Sequence, residues 1–259
     1  MARSIAIAAV ALLALAGCSQ PVRTIEQTEP ARATTQKPPQ PTPTVDPNVE
    51  GYVEAVTGNS PEAILEGRKY AEAGSVADSY LRYLANVREA MLDAGMAGAT
   101  TADLTPEAGG YSYCPIDAQC VRFDTFTTHG GKITDLHVDG KTPGPKLLVG
   151  NGSKVSAGGA TFELLSAYRS TQANALYVAL EVATTKAISV NATLAVYRSP
   201  GGKQRTAAEA YGPSDIGADS NTKLVIVIQG VEAGGTLTLD GCADPGCEQG
   251  YEVAIKVGS

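Results

Sequence analysis

The hydrophobic period of this chain changes once, near Gly95. Upstream, apolar residues recur every three or four positions; downstream they alternate. A period near 3.6 buries one stripe of a helix and a period of two buries one face of a strand, so helices come first and strands after. Asn59-Ser60-Pro61-Glu62 reads as a helix start: a capping residue, proline at the first helical position and an acid in the first turn. This helix is expected to run to Gly74. Ser75 caps the next, expected to reach about Ala94 and stop at Gly95. Its Tyr80, Leu84, Val87 and Met91 form one apolar stripe. A short helix is expected before both, over Val49 to Val56.

Beyond Gly95, Val121 to Thr128 and Lys132 to Gly140 read as strands joined through His129-Gly130-Gly131-Lys132, whose two glycines tolerate the positive φ of a tight turn. With Gly130 and Gly131 at the centre, His129 faces Lys132, Phe123 opposes Val138 and Thr125 opposes Leu136. On the other face Arg122 meets Asp139 and Asp124 meets His137, so opposite charges pair twice. From Leu147 onward, the expected strands are Thr161 to Tyr168, Leu176 to Thr184, Ser189 to Tyr197, Lys223 to Gln229, Gly235 to Leu239 and Tyr251 to Val257. Leu147 to Val149 or Lys154 to Ser156 adds an edge. Leu176, Val178, Leu180 and Val182 share a face, as Val190, Ala192, Leu194 and Val196 are expected to do. Several short strands with no helix pattern point to an all-β sandwich.

Two resemblances follow. Helices and then a hairpin, with Gly-Gly-Lys-Ile-Thr-Asp-Leu-His-Val-Asp-Gly at its end, resemble the nuclear transport factor 2-like family; so does Gly67 to Tyr83, with its Ala73-Gly74-Ser75-Val76-Ala77. The resemblance implies an α+β cone in which a curved sheet wraps a long helix and leaves a pocket. The later segment resembles, in architecture alone, the immunoglobulin-like domains that close many exported actinobacterial proteins, without their buried Trp or inter-sheet disulfide.

The start of the chain carries different information. Arg3 precedes an uncharged Ala, Ile, Val and Leu run from Ile5 to Ala14, too short to span roughly 30 Å of hydrocarbon as a helix but suited to a signal-peptide core. The run closes on Leu15-Ala16-Gly17-Cys18, which resembles the lipobox of bacterial lipoproteins. The resemblance implies cleavage before Cys18 and acylation of its thiol. Two or three acyl chains, at about 0.8 kcal/mol per buried methylene, make a lasting anchor. Ser19 to Asn48 holds seven prolines and few large apolar residues, a composition that does not bury enough surface to fold. As extended polyproline at about 3.1 Å per residue, it spans up to ~90 Å. The expected organisation is thus a signal peptide at 1–17, a disordered tether at 18–48, the α+β domain at 49–145 and the sandwich at 146–259.

Charge and cysteines bound the function. The net charge is −7, with no basic run, which disfavours nucleic acid. The absence of Trp and the abundance of Ala, Gly, Thr and Val resemble high-GC actinobacterial proteins. Apart from Cys18 the cysteines are Cys114, Cys120, Cys242 and Cys247, which in an exported protein form two disulfides in one of three pairings. Cys114–Cys120 and Cys242–Cys247 are favoured because each closes a short loop flanked by Pro or Gly. Their spacing to His129 and His137 matches no structural zinc pattern, and the acids of Asp240 to Glu248 are expected to be merely solvated.

Ketosteroid isomerase, an enzyme of the cone fold, places a carboxylate base and an oxyanion hole inside its pocket. On the apolar face of the hairpin only Thr125, Thr127 and Thr134 are polar. Asp124 and His137 lie on the opposite face, as a surface ion pair. No nucleophile-with-base motif or phosphate-cradling loop appears. The expectation is a non-enzymatic envelope lipoprotein without cofactor or metal, acting as an interaction or adaptor module. Its partners would be the membrane, through the lipid, and an envelope protein or cell-wall component. The alternative is a carrier of a small apolar ligand in the pocket of the α+β domain.

Overall fold

Three capped helices open the molecule. A computed structural model describes residues 46–96, 102–115, 119–170, 172–244 and 246–258; the expected signal peptide, Cys18 and the expected tether up to residue 45 lie outside them. Helix α1 (Pro47–Val56) starts where the Asp46 carboxylate accepts from the Asn48 amide at 2.9 Å, so Pro47 and Asn48 belong to it and not to the tether. Helix α2 (Pro61–Glu66) is capped by Ser60, and α3 (Val76–Asp93) by Ser75, whose Oγ accepts from the Asp78 amide at 3.2 Å. Gly95, at φ +72°, ends the third helix. No helix among the described residues is long and apolar enough to cross a membrane.

The second helix stops at Glu66, well short of Gly74. Gly67–Lys69 tighten into a 3₁₀ turn capped by Tyr70, and Ala71 then forms a parallel bridge with Ile133 of the hairpin. There the Ile133 amide donates to the Tyr70 carbonyl and the Glu72 amide to the Ile133 carbonyl, each at 2.9 Å. Gly67 permits this turn to sit tightly: a Cβ there would lie 2.5 Å from that of Ala55 and 3.1 Å from Leu81.

A four-stranded antiparallel sheet follows in sequence order: β1 (Leu104–Glu107), β2 (Gly110–Tyr113), β3 (Val121–His129) and β4 (Lys132–Val138). The first two strands were not expected from the sequence. The β3–β4 hairpin keeps the expected pairs at its ends, His129 with Lys132, Asp124 with His137 and Phe123 with Val138. Between them it departs from simple alternation. Thr127 pairs with Asp135, leaving Thr134 as an extra residue on β4, and Thr125 with Phe126 spans one residue of β3 too many. Two opposed bulges cancel, so the ends stay in phase while the middle slips. Thr125 therefore does not oppose Leu136 on the apolar face: it is exposed at φ +51°, and Phe126 packs inward in its place. Thr127 is exposed too.

The remaining strands form two six-stranded antiparallel sheets that share a core. In chain order they are β5 (Leu147–Val149), β6 (Lys154–Ala157), β7 (Ala160–Ser170), β8 (Ala175–Thr184), β9 (Ile188–Val190) and β10 (Val196–Arg198). Then come β11 (Gln204–Thr206), β12 (Glu209–Tyr211), β13 (Asp215–Ile216), β14 (Asn221–Gln229), β15 (Thr236–Cys242) and β16 (Gly250–Lys256). One sheet runs β12-β14-β8-β7-β5 with β6 also on β7; the other runs β11-β10-β15-β9-β13 with β16 on β15. Leu176, Val178, Leu180 and Val182 all face the shared core. Val190 to Val196 is not one strand. Asn191 is held by Asp240, its amide donating to the carbonyl at 2.9 Å and its Nδ2 to the carboxylate at 2.8 Å. Ala192–Leu194 then coil into a 3₁₀ turn. Leu194 ends up 62 % exposed, and Tyr197 enters the core instead.

The β7-β8-β14 sheet is buried on both faces. Leu224, Ile226 and Ile228 point to the sandwich core, while Val225 and Val227, with Ala175 and Ala179, pack against Ala90 of α3. Beside them Tyr80 and Tyr83 of α3 meet Tyr168 of β7 with ring centroids 5.7 and 5.0 Å apart. Asp93, at the helix end, accepts from the Thr222 hydroxyl at 2.9 Å. The helices and the sandwich thus share one apolar seam, and the described residues all belong to one compact unit.

Candidate functional site

The third helix also borders an empty space. Along it, Tyr80, Leu84, Val87, Arg88 and Met91 line a hollow of about 190 Å³. The end of α1 and the start of α2 close one flank with Val56, Thr57, Gly58 and Ile64; the sheet closes the other with Tyr113, Val121 and Phe123. The stripe of Tyr80, Leu84, Val87 and Met91 is the one legible in the sequence, at spacings of four and three. A stripe on a helix that finds no facing layer close enough to fill it leaves such a space.

The chemistry of the lining is apolar with few exceptions. The Thr57 hydroxyl donates back to the Val53 carbonyl at 3.0 Å, as helix-end threonines do, and so is spent locally. Tyr80 is buried, and burial pushes its hydroxyl well above the ordinary range, with Tyr168 and Asp139 adding to the effect. It is a neutral phenol at physiological pH. Arg88 is the single charged residue of the lining.

The Cys114–Cys120 disulfide sits at the edge of this hollow, because Tyr113 and Val121, the residues just inside the two cysteines, both line it and pair with each other across β2 and β3. The second bond, Cys242–Cys247, closes a loop on the sandwich. Asp244 organises that loop, its carboxylate accepting from the amides of Gly246, Glu248 and Gln249 at 2.8 to 3.1 Å. Those backbone donors, from Glu248 and Gln249 above all, hold its carboxyl below the usual value. Cys18 lies outside the described residues.

Other candidate residues are spread over the surface. His137 and Asp124 approach only to 3.8 Å, and Asp124 instead accepts from Arg122 Nε and the Thr125 hydroxyl, each at 2.9 Å. His129 Nδ1 lies 3.1 Å from Glu72. Neither histidine lines the hollow. Among the described residues no three His, Cys, Asp or Glu side chains converge as a metal site would require. Larger depressions lie on the sandwich, among them one of about 260 Å³ beside Arg169 and Glu232. One of about 360 Å³ adjoins the Cys242–Cys247 loop. Another, a groove of about 520 Å³, runs between β5, the start of β6 and the free edge of β16, beside the exposed Val149 and Val155.

Sequence reasoning found the helical stripe, Val121 and Phe123, but not Arg88, Tyr113 or the contribution of α1 and α2. Arg88 was open to notice: a cation between Val87 and Met91 interrupts an otherwise apolar face. Compared with known protein families, curated proteins and solved structures, the chain finds no match.

Proposed function

We propose that this chain is a non-enzymatic, lipid-anchored envelope protein that takes a small apolar group into the hollow beside α3. The observation that carries the reading is an apolar space of about 190 Å³ bounded by two helices, a third long helix and a sheet, with one rim fixed by a disulfide. Apolar lining with few polar groups is the usual make-up of a small-molecule site. The long helix, the antiparallel sheet across it and the hollow between them support a nuclear transport factor 2-like cone. The two facing sheets support an immunoglobulin-like sandwich. The anchoring half of the reading rests on Leu15-Ala16-Gly17-Cys18 and the apolar run before it. A non-catalytic role is supported by the placing of Asp124 and His137, which lie off the hollow and 3.8 Å apart. A second reading, an adaptor that presents its sandwich to an envelope protein or wall polymer, is favoured by the groove along β16 with its exposed Val149 and Val155.

Native mass spectrometry of the full-length protein titrated with a neutral alkane alcohol tests the site. The expected result is one-to-one adducts in the parent that disappear when Val87→Phe fills the hollow. Equal adduct formation by both proteins removes the hollow from the argument. Localisation is tested separately: Cys18→Ser is expected to release the protein from membranes, and a variant that stays bound defeats the lipid anchor.

A further inference from the structure

We infer that the occupant of the hollow is a small amphiphile with a carboxylate head, its tail among the apolar residues of α3 and the sheet and its head on Arg88. The inference rests on reading the hollow as a binding site. Arg88 is half-buried and is the one charged group lining it. Among the described residues it has no ion-pair partner and no hydrogen-bond acceptor. The other arginines near the folded core are engaged: Arg68 and Arg82 bind Asp78, Arg122 binds Glu107 and Asp124, and Arg169 lies beside Glu232. Arg88 lines the hollow beside Leu84, Val87 and Met91 and is only partly open to water, yet among the described residues its guanidinium meets no acceptor. An anion seated beside it restores that loss with charge-assisted hydrogen bonds.

The single charge selects among anions. With one cation in the lining and no lysine beside it, the site matches a monoanion, and the planar guanidinium fork matches a carboxylate. A dianionic phosphate calls for more donors than the lining supplies. Volume sets the tail. An apolar cavity of about 150 Å³ accepts one benzene, so a space of about 190 Å³ accepts roughly a seven-carbon chain or a phenyl ring with one or two further carbons.

Calorimetric titration of the full-length protein with octanoate and with 1-octanol at neutral pH tests this, using the parent, Arg88→Gln and Arg88→Lys. Octanoate is expected to bind the parent about tenfold more tightly than the alcohol. Arg88→Gln is expected to bring the acid down to the level of the alcohol, with a thermal melt matching the parent's showing that the variant is folded. Arg88→Lys keeps the charge without the fork and is expected to fall between the two. Equal affinity of the parent for acid and alcohol overturns the carboxylate head but leaves the hollow as an apolar site. Failure of both to bind overturns the reading beneath it.

Discussion

Asp78 offers the sharpest test of how the helical part is held together. Its carboxylate is 2 % exposed, yet it receives Arg68 Nε at 2.6 Å, Arg82 at 2.9 Å and the Gly74 amide at 3.1 Å. Burial alone would raise its pKa, but the Arg68 hydrogen bond, the Gly74 amide and the two arginine charges outweigh burial and hold the carboxyl below its ordinary value. Asp78→Ala removes all of these at once. Breaking a fully buried pair costs about 3–5 kcal/mol. Here the arginine side chains are 42 % and 49 % exposed and return to water, and Gly74 is exposed as well. The cost is therefore about 2–3 kcal/mol, or roughly 4–12 °C in Tm for a unit of this size. The sign with pH follows from the lowered value. The carboxylate's stabilisation is complete above the unfolded aspartate pKa of about 3.9 and is lost as pH falls through the lower folded value. Thermal melts of parent and variant followed by circular dichroism from pH 7 down to about 2 measure the gap. It should be constant near neutrality and close in acid. A variant that melts with the parent at pH 7, or a gap that widens as pH falls, refutes the reasoning.

The shared seam predicts coupled unfolding. Ala90→Glu places an uncompensated carboxylate against Ala179, Val225 and Val227 and should destabilise by more than about 3 kcal/mol. Helical circular dichroism and tyrosine fluorescence should fall in one transition; two separate transitions would show the parts to be independent. Thr125→Gly relaxes a β-branched residue at φ +51° and should stabilise by up to about 1 kcal/mol in urea unfolding. A loss instead would mean that the bulge needs the threonine. Replacing Cys114 and Cys120 together by Ser should cost roughly 2 kcal/mol and weaken octanol binding, since Tyr113 and Val121 lose their clamp. Unaltered binding would separate the disulfide from the site.

What the sequence disclosed was what local chemistry enforces. Ser60, Ser75 and Gly95 mark helix ends because their side chains or backbone freedom satisfy groups that nothing distant can reach. The two short cysteine loops closed as spacing favoured. The bulges at Thr125 and Thr134 were hidden because the threonines at 125, 127, 128 and 134 read equally well on either face of a strand. The end of α2 at Glu66 was hidden because Ile133, the partner that draws Tyr70 and Glu72 out of the helix, lies far along the chain. One distant feature did leave a trace. Leu224 to Ile228 are apolar without a break, the pattern of a strand covered on both faces, and α3 is the second cover.

That cover has a price in freedom to vary. Of the eighteen residues of α3 only Arg82, Leu92 and Asp93 are exposed, so most substitutions along it disturb a tyrosine seam, a salt-bridged aspartate or the wall of the hollow. Kin of this protein, once aligned, should drift in their loops long before they drift here. A recombination event that exchanged the sandwich without bringing a matching helix would leave a bare, adhesive sheet. Ancestry in this lineage is therefore written most durably in one helix.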